Sequence, residues 1–436
     1  MISILAQPSF QCADVNADTN LESIPEFMEK LDESFDIFRD KLNEAFQKIH
    51  GFHLYEGNEF GSLFSPLLAI GMLLLGSSGD TDSQIRENAF AGWQFNDQNL
   101  DEPHLALLDL TKAVTKPYME SNDVMRVRNR MYIQNGFGIV PKYLIATDKC
   151  YNQERDTIDF STPEIARAII NSWVRETTGE KLPDLLPENS LNSNTKLVII
   201  NAVYFHGFWK QAFDPSLTEK RDFSILVKNS SETVQVDMMS QEGIFEFYKP
   251  DAAEVLKLNF GEDRMSMFII LPDREFGLLQ SFRYFDYKSY EDTKQLLQAK
   301  IIIPKFEIQA NYNFSETMPE AGIKDLFDES KADLSGISNI DQLFVNEMHQ
   351  QAYIRVDESG TEAAIAVGSV ADTRGFRAGT KEFLCDHPFL FMIVENTFGN
   401  VLFEGSVANP SIGLNDEVTT TTTGTTTPTA TTRGNN

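Results

Sequence analysis

LVIINAVYF, residues 197–205, is apolar at both alternating sets of positions except for Asn201 near its middle and Tyr204 near its end. Successive side chains of a strand point to opposite faces, so a run apolar on both sides belongs inside a large sheet covered above and below. Around it lie further strand-like runs: MRVRNRMYI (125–133), MSMFIILP (265–272), KIIIPKFEI (300–308), QAYIRV (351–356), FLFMIVE (389–395) and NVLFEGSV (400–407). Arg126, Arg128 and Arg130 alternate on one strand, which reads as an exposed face.

Helical spacing dominates earlier in the chain. Phe27, Leu31, Phe35, Phe38, Leu42, Phe46 and Ile49 recur at intervals of four and three, the stripe of an amphipathic helix opened by Ser23 and closed by Gly51. Ser65-Pro66 is expected to open a second helix, with Ser65 as its cap, and the run that follows is apolar nearly all round. A third helix starts at STPE, where Ser161 and Glu164 form a capping box. Ile165, Ile169 and Trp173 are expected on its buried face. Helices early and strands late indicate an α+β fold with several sheets.

Composition narrows the function. The 436 residues are 42% hydrophobic, enough for a full core, and carry a formal charge of −28. Nucleic acid, anionic membrane and heparin-like polyanions all need a dense cationic surface, so none is expected as a partner. The stretch from Asn88 to Asp123 has only Lys112 and Lys116 as cations. No HExxH, P-loop, GxSxG or Rossmann glycine pattern occurs, so no catalytic residue, metal ligand or cofactor is assigned. Cys12, Cys150 and Cys385 have no metal or redox spacing, and stability is expected to come from packing. The longest apolar run, LLAIGMLLLG at 67–76, is shorter than the ~20 residues that span a bilayer.

Three regions are expected: a polar lead or signal remnant at 1–22, one globular domain at 23–412, and a Thr-rich tail at 413–436. The tail resembles the O-glycosylated stalks of extracellular proteins, and Asn229-Ser-Ser and Asn313-Phe-Ser are glycosylation sequons. Secretion is the expectation from these features together.

Several stretches in fixed order resemble the serpin family, from about residue 30 to residue 410. They are FSPLLAIGMLLLGSSGDT (64–81), INSWVRETTGEKLPDLL (170–186), LVIINAVYFHGFWKQAFDPSLTEKRDF (197–223), VDMMSQEGIF (236–245), AGIKDLFDESKADLSGIS (321–338), and DESGTEAAIA (357–366) with HPFLFMIVENTFGNVLFEGSVANPS (387–411). The resemblance implies about nine helices, three β-sheets and an exposed reactive-centre loop at 358–383. It also implies a suicide inhibitor of serine proteases: the protease cuts a bait bond, and the loop inserts into the main sheet while the acyl-enzyme persists.

In that register the hinge is Glu358, Gly360, Thr361, Glu362, Ala363, Ala364, Ile365 and Ala366, and no proline occurs from Glu358 to Arg374. As a strand, Thr361, Ala363, Ile365 and Val367 would share one face. Ile365 is bulkier than the small residue usual there. The bait sixteen residues beyond Glu358 is Arg374, which makes Arg374–Gly375 the reactive bond and a trypsin-like serine protease the partner, with Arg377 as the rival bait. Ser65 and Asn201 match the family's shutter, Trp209 matches its breach, and Gln350 stands where a histidine is common, with His349 beside it. The protein is expected to be a monomer. The alternative function is a non-inhibitory serpin acting as carrier, chaperone or storage protein, for which the hinge should be spoiled by proline or charge.

Overall fold

The computed structural model describes residues 24–50, 57–96, 100–115, 124–151, 154–179, 182, 184–227, 230–261, 263–273, 287–338, 343–359 and 381–412. Eight α-helices occur among them: α1 (Ile24–His50), α2 (Phe64–Leu74), α3 (Gly79–Ala89), α4 (Glu102–Thr115), α5 (Pro141–Tyr151), α6 (Pro163–Thr177), α7 (Tyr287–Thr293) and α8 (Phe314–Glu320). The first half of the strands comprises β1 (Glu59–Gly61), β2 (Val124–Gln134), β3 (Glu154–Ile158), β4 (Leu197–His206), β5 (Glu219–Val227), β6 (Ser230–Tyr248) and β7 (Ala253–Asn259). The second half comprises β8 (Met265–Pro272), β9 (Gln295–Pro304), β10 (Phe306–Asn313), β11 (Glu347–Val356), β12 (Lys381–Leu384), β13 (Phe389–Glu395) and β14 (Val401–Val407).

Two sheets carry the α+β architecture. One has five strands in the order β10-β11-β4-β2-β3. The other has nine, in the order β1-β14-β13-β8-β7-β6-β9-β12, with β5 also paired to β6. Three sheets were expected. The 19-residue β6 pairs with β5 through its first half and with β9 and β7 through its second, so hydrogen bonding fuses two of them.

The run 197–205 is the central strand β4 of the five-stranded sheet, as its two apolar faces demand. One face packs on α2, every residue of which is buried. The other face meets α6: Val198, Ile200 and Ala202 of β4 join Tyr132, Ile158, Ala166, Ile170, Trp173 and Val174 in a separate apolar cluster. In α1 the buried stripe is Met28, Leu31, Phe35, Phe38, Leu42 and Ala45. The predicted end members Phe27 and Phe46 are half-buried and Ile49 is exposed, because the stripe drifts round the helix over so long a span.

The starts of two helices differ from expectation. Ser65 lies inside α2 and caps nothing. Ser62 supplies the cap, its Oγ accepting from the Ser65 N–H at 3.1 Å. In α6, Pro163 is the first helical residue and no capping box forms; the Glu164 carboxylate accepts instead from Arg167 and from the Asn189 N–H. Ile165 and Ile169 are 61% and 46% exposed, because contact with β2 and β4 buries Ala166, Ile170, Trp173 and Val174 instead. Arg130 also departs from the exposed-face reading. It is half-buried, with its guanidinium 5.2 Å from the Trp173 ring, a cation–π contact that pins α6 to β2. Cys150 at the end of α5 is disulfide-bonded, against the expectation of packing alone, whereas Cys385 is buried and free.

Ile170→Ala is expected to lower the first unfolding transition in urea by about 2–5 kcal/mol, because it leaves a cavity under α6. Ile165→Ala should change it by no more than about 0.5 kcal/mol. Comparable losses for the two would place α6 in the wrong rotation.

Candidate functional site

The functional region forms where β4 and β11 meet. These two central strands pair in parallel, from Glu347 beside Val198 to Ile354 beside Phe205, while their outer neighbours β2 and β10 run antiparallel to them. Beyond Val356 the chain turns out of the sheet through Asp357, Glu358 and Ser359, and it rejoins the fold at Lys381 in β12, parallel to β9.

The top of this seam is tied down by the segment after β4. The Trp209 indole N–H donates to the Asp357 carbonyl at 2.8 Å, the Trp209 amide to the Ser359 carbonyl at 3.0 Å, and the Phe213 amide to the Glu358 carbonyl at 3.1 Å. Trp209 itself is buried and stacks on Phe260 at 4.6 Å. The Glu358 side chain pairs with Lys305 at 2.8 Å and accepts from the Thr218 hydroxyl at 2.7 Å. Burial pushes its carboxyl up, but those donors outweigh burial and leave it below the ordinary value. Asp357 shows the same balance more strongly. Burial raises it, and the nearby His206 ring at 3.7 Å together with bonds from the Ser359 amide at 2.9 Å and Arg355 at 2.8 Å carries it far below the usual carboxylate range.

Lower in the seam lies a buried polar knot. The Ser65 hydroxyl donates to Asn129 Oδ1 at 2.7 Å, Asn129 Nδ2 donates to the Ser65 carbonyl at 3.1 Å, and Asn201 Nδ2 also donates to Asn129 Oδ1. Asn201 Oδ1 is buried with no hydrogen-bond partner among the described residues. Gln350 sits beside Asn201 in the parallel register but bonds elsewhere: its amide exchanges two bonds with the Ser62 backbone, at 3.0 and 3.1 Å. Ser62 links the two groups, since its hydroxyl accepts from the Ser65 amide and donates to the Leu402 carbonyl at 2.8 Å.

Of the residues singled out in the sequence, Ser65, Asn201, Gln350, Trp209 and Glu358 therefore line one seam. Gly360, Thr361, Glu362, Ala363, Ala364, Ile365, Ala366, Arg374, Gly375, Arg377 and Asn229 lie outside the described residues. Asn313 is half-buried at the start of α8, its Oδ1 accepting from the Ser315 amide and its Nδ2 donating to Glu316. Asn129, Ser62, Asp357, Lys305 and Thr218 were missed. Asn129 had a signal, as a polar residue on the strand face opposite that of its neighbours Arg128 and Arg130.

The seam is thus a parallel strand pair tied at its top to residues 357–359, with a buried polar knot beneath. A family profile described as serpin, serine protease inhibitor, matches residues 44–410. The chain belongs to the serpin family. The leukocyte elastase inhibitor of Bos taurus is 33% identical over 374 residues, covering 82% of this chain and 94% of its own. Leukocyte elastase inhibitor A of Mus musculus is 34% identical, covering 81% and 93%. Among solved structures, uncleaved ovalbumin superposes with a TM-score of 0.76 at 27% identity, over 87% of this chain and 100% of that one. The serpin family is one of protease inhibitors, and this member is not an enzyme.

Because Asp357 and Glu358 take up protons less readily folded than unfolded, the stability they confer is present at neutral pH and is lost as pH falls below about 4. Trp209 fluorescence followed on acid titration should therefore shift before the far-ultraviolet signal does. Glu358→Gln should cost this serpin about 1–3 kcal/mol in urea at pH 7, and the mutant's early acid shift should shrink.

Proposed function

We propose that this serpin is a suicide inhibitor of a trypsin-like serine protease, cleaved at Arg374–Gly375. The observation that carries the reading is the parallel pairing of β4 and β11 directly below the hinge. A segment leaving the top of β11 and folding back runs antiparallel to β11, and therefore to β4 as well. It can enter between them with the better ladder geometry on both sides and no chain crossing. The hinge GTEAAIAV (360–367) has no proline, and its first strand face, Thr361, Ala363, Ile365 and Val367, carries no charge. That composition argues against the carrier, chaperone or storage alternative.

In the proposed reaction the protease serine attacks the Arg374 carbonyl. The C–N bond to Gly375 breaks, the new α-amine takes the proton, and Arg374 is left as an ester on the protease. Insertion must then outrun hydrolysis of that ester. The relatives named above are elastase inhibitors, whereas an elastase-type pocket is too small for a guanidinium. Arg374 therefore directs this chain to a pocket holding a carboxylate, where the planar fork of donors binds bidentately.

We propose further that the protein works in an oxidising, extracellular compartment. The disulfide at Cys150, the Thr-rich tail and the sequons support this reading. Of the two sequons, Asn229 is the expected glycan site, because the Asn313 amide is engaged at the α8 cap. Peptide mapping of protein secreted by cultured cells should find Asn313 unmodified.

Incubation with trypsin should give a complex that survives hot SDS and a released carboxyl-terminal peptide beginning at Gly375. Arg374→Ala should slow inhibition at least a hundredfold. A peptide beginning at Ala378 would move the bait to Arg377, and clean cleavage without a complex would sink the inhibitory reading.

A further inference from the structure

Beside the seam, on the side away from α6, a pocket opens between α1, α8, β1 and the paired strands β10 and β11. Counted out to its open mouth, solvent included, its void is about 470 Å³. The walls are mostly apolar, from Leu42 and Phe46 of α1, Leu63, and Phe314 of α8. Its uncharged polar side chains include Tyr312, Thr317 and Gln350, and its charged ones are Arg39 and Glu404.

We propose that this pocket binds a small neutral aromatic alcohol, and that the occupant braces the seam. Charge decides the ligand class. The one cation in the lining, Arg39, is already neutralised by Glu404 at 2.7 Å and by Asp36, and Glu404 is itself a lining residue. Glu59 stands just behind Tyr312, whose hydroxyl donates to it at 2.9 Å. A carboxylate ligand would meet net negative surroundings and lose its hydration, whereas a neutral hydroxyl loses little. Gln350 offers that hydroxyl a partner. Each end of its amide makes one bond to Ser62, and each has one more hydrogen-bonding position by its chemistry.

The space exists because residue 61 is glycine. A Cβ there would lie 3.1 Å from the Tyr312 ring and 3.2 Å from Gln350 Oε1. The ring walls of Phe46, Phe314 and Tyr312 suit a flat aromatic guest. A guest seated against Gln350 touches a side chain that fastens β11 to the Ser62 segment, so binding favours the closed seam by its differential affinity for that state. The bracing half of this proposal rests on the inhibitory reading, and the binding half does not.

The full-length protein is titrated with phenol and, separately, with benzoate, by calorimetry and saturation-transfer NMR. Phenol should bind at least tenfold more tightly than benzoate. Gly61→Ala, which narrows the pocket, and Phe46→Ala, which removes a rim wall, should each weaken phenol at least fivefold. Equal affinity for the two probes, or phenol binding unchanged in both variants, overturns the site. At saturating phenol, a synthetic peptide of residues 360–373 should anneal into the seam at least threefold more slowly, and an unchanged rate overturns the bracing. Failure of that peptide to anneal without phenol would count against the inhibitory reading and leave the binding titration intact.

Discussion

The parallel contact between β4 and β11 is the constraint on which the rest of this molecule depends. A parallel pair flanked on each side by an antiparallel one is the weaker ladder, and here it lies where both faces are buried. The sheet cannot exploit the better geometry until another strand separates the two. What holds the pair closed is local: two backbone bonds from the segment 209–213 to residues 358–359, the bond from the Trp209 indole to the Asp357 carbonyl, and the Glu358–Lys305 pair. All of them sit at the top of the seam, so in the proposed reaction closure would be controlled at one end while the gain from a new ladder would accrue along its whole length.

The polar knot below fits the same account. Buried amides and hydroxyls normally satisfy one another, yet Asn201 keeps an acceptor without a partner among the described residues, at a net cost of about 1–3 kcal/mol. The proposed inhibitory reaction would give such a cost a place, since it needs a native state held by a kinetic barrier and not by depth alone. The split of the knot into a Ser65–Asn129–Asn201 group and a Gln350–Ser62 group follows from residue 350. A glutamine amide matches the paired N–H and C=O of one backbone residue, so Gln350 clasps Ser62 instead of reaching Asn201.

Much of this was legible in the sequence. The two apolar faces of 197–205 placed β4 correctly, because burial on both sides leaves no other solution for a strand. The stripe of α1 was legible in its middle and not at its ends. The rotation of α6 was not legible: Ile165 and Ile169 fit a helical period as well as Ala166 and Ile170 do, and only contact with β2 and β4 decides which pair is buried. Ser62, Lys305 and Thr218 were beyond reach for a related reason. Their roles are set by partners far along the chain, and nothing in their neighbours marks them. Asn129 differs, since alternation alone put a polar side chain inside.

Under the proposed reaction, the fold also explains why a cut at Arg374 would be needed. β11 is about 33 Å long at about 3.3 Å per residue, and a segment filling the seam must run that distance downward from the hinge. While Lys381 stays paired in β12 and bonded to Glu254, the chain must also climb back to the top. The round trip takes about 66 Å, whereas residues 360–380 fully extended reach about 70 Å, which leaves almost nothing for the reversal or for the crossing to β12. An intact loop can therefore enter only the upper part of the seam, where breaking the bonds of Trp209 and Glu358 is not yet offset by a full ladder. Severing the connection near residue 374 removes the return path altogether. Everything before the cut is then free to descend, and whatever is esterified to its end must follow.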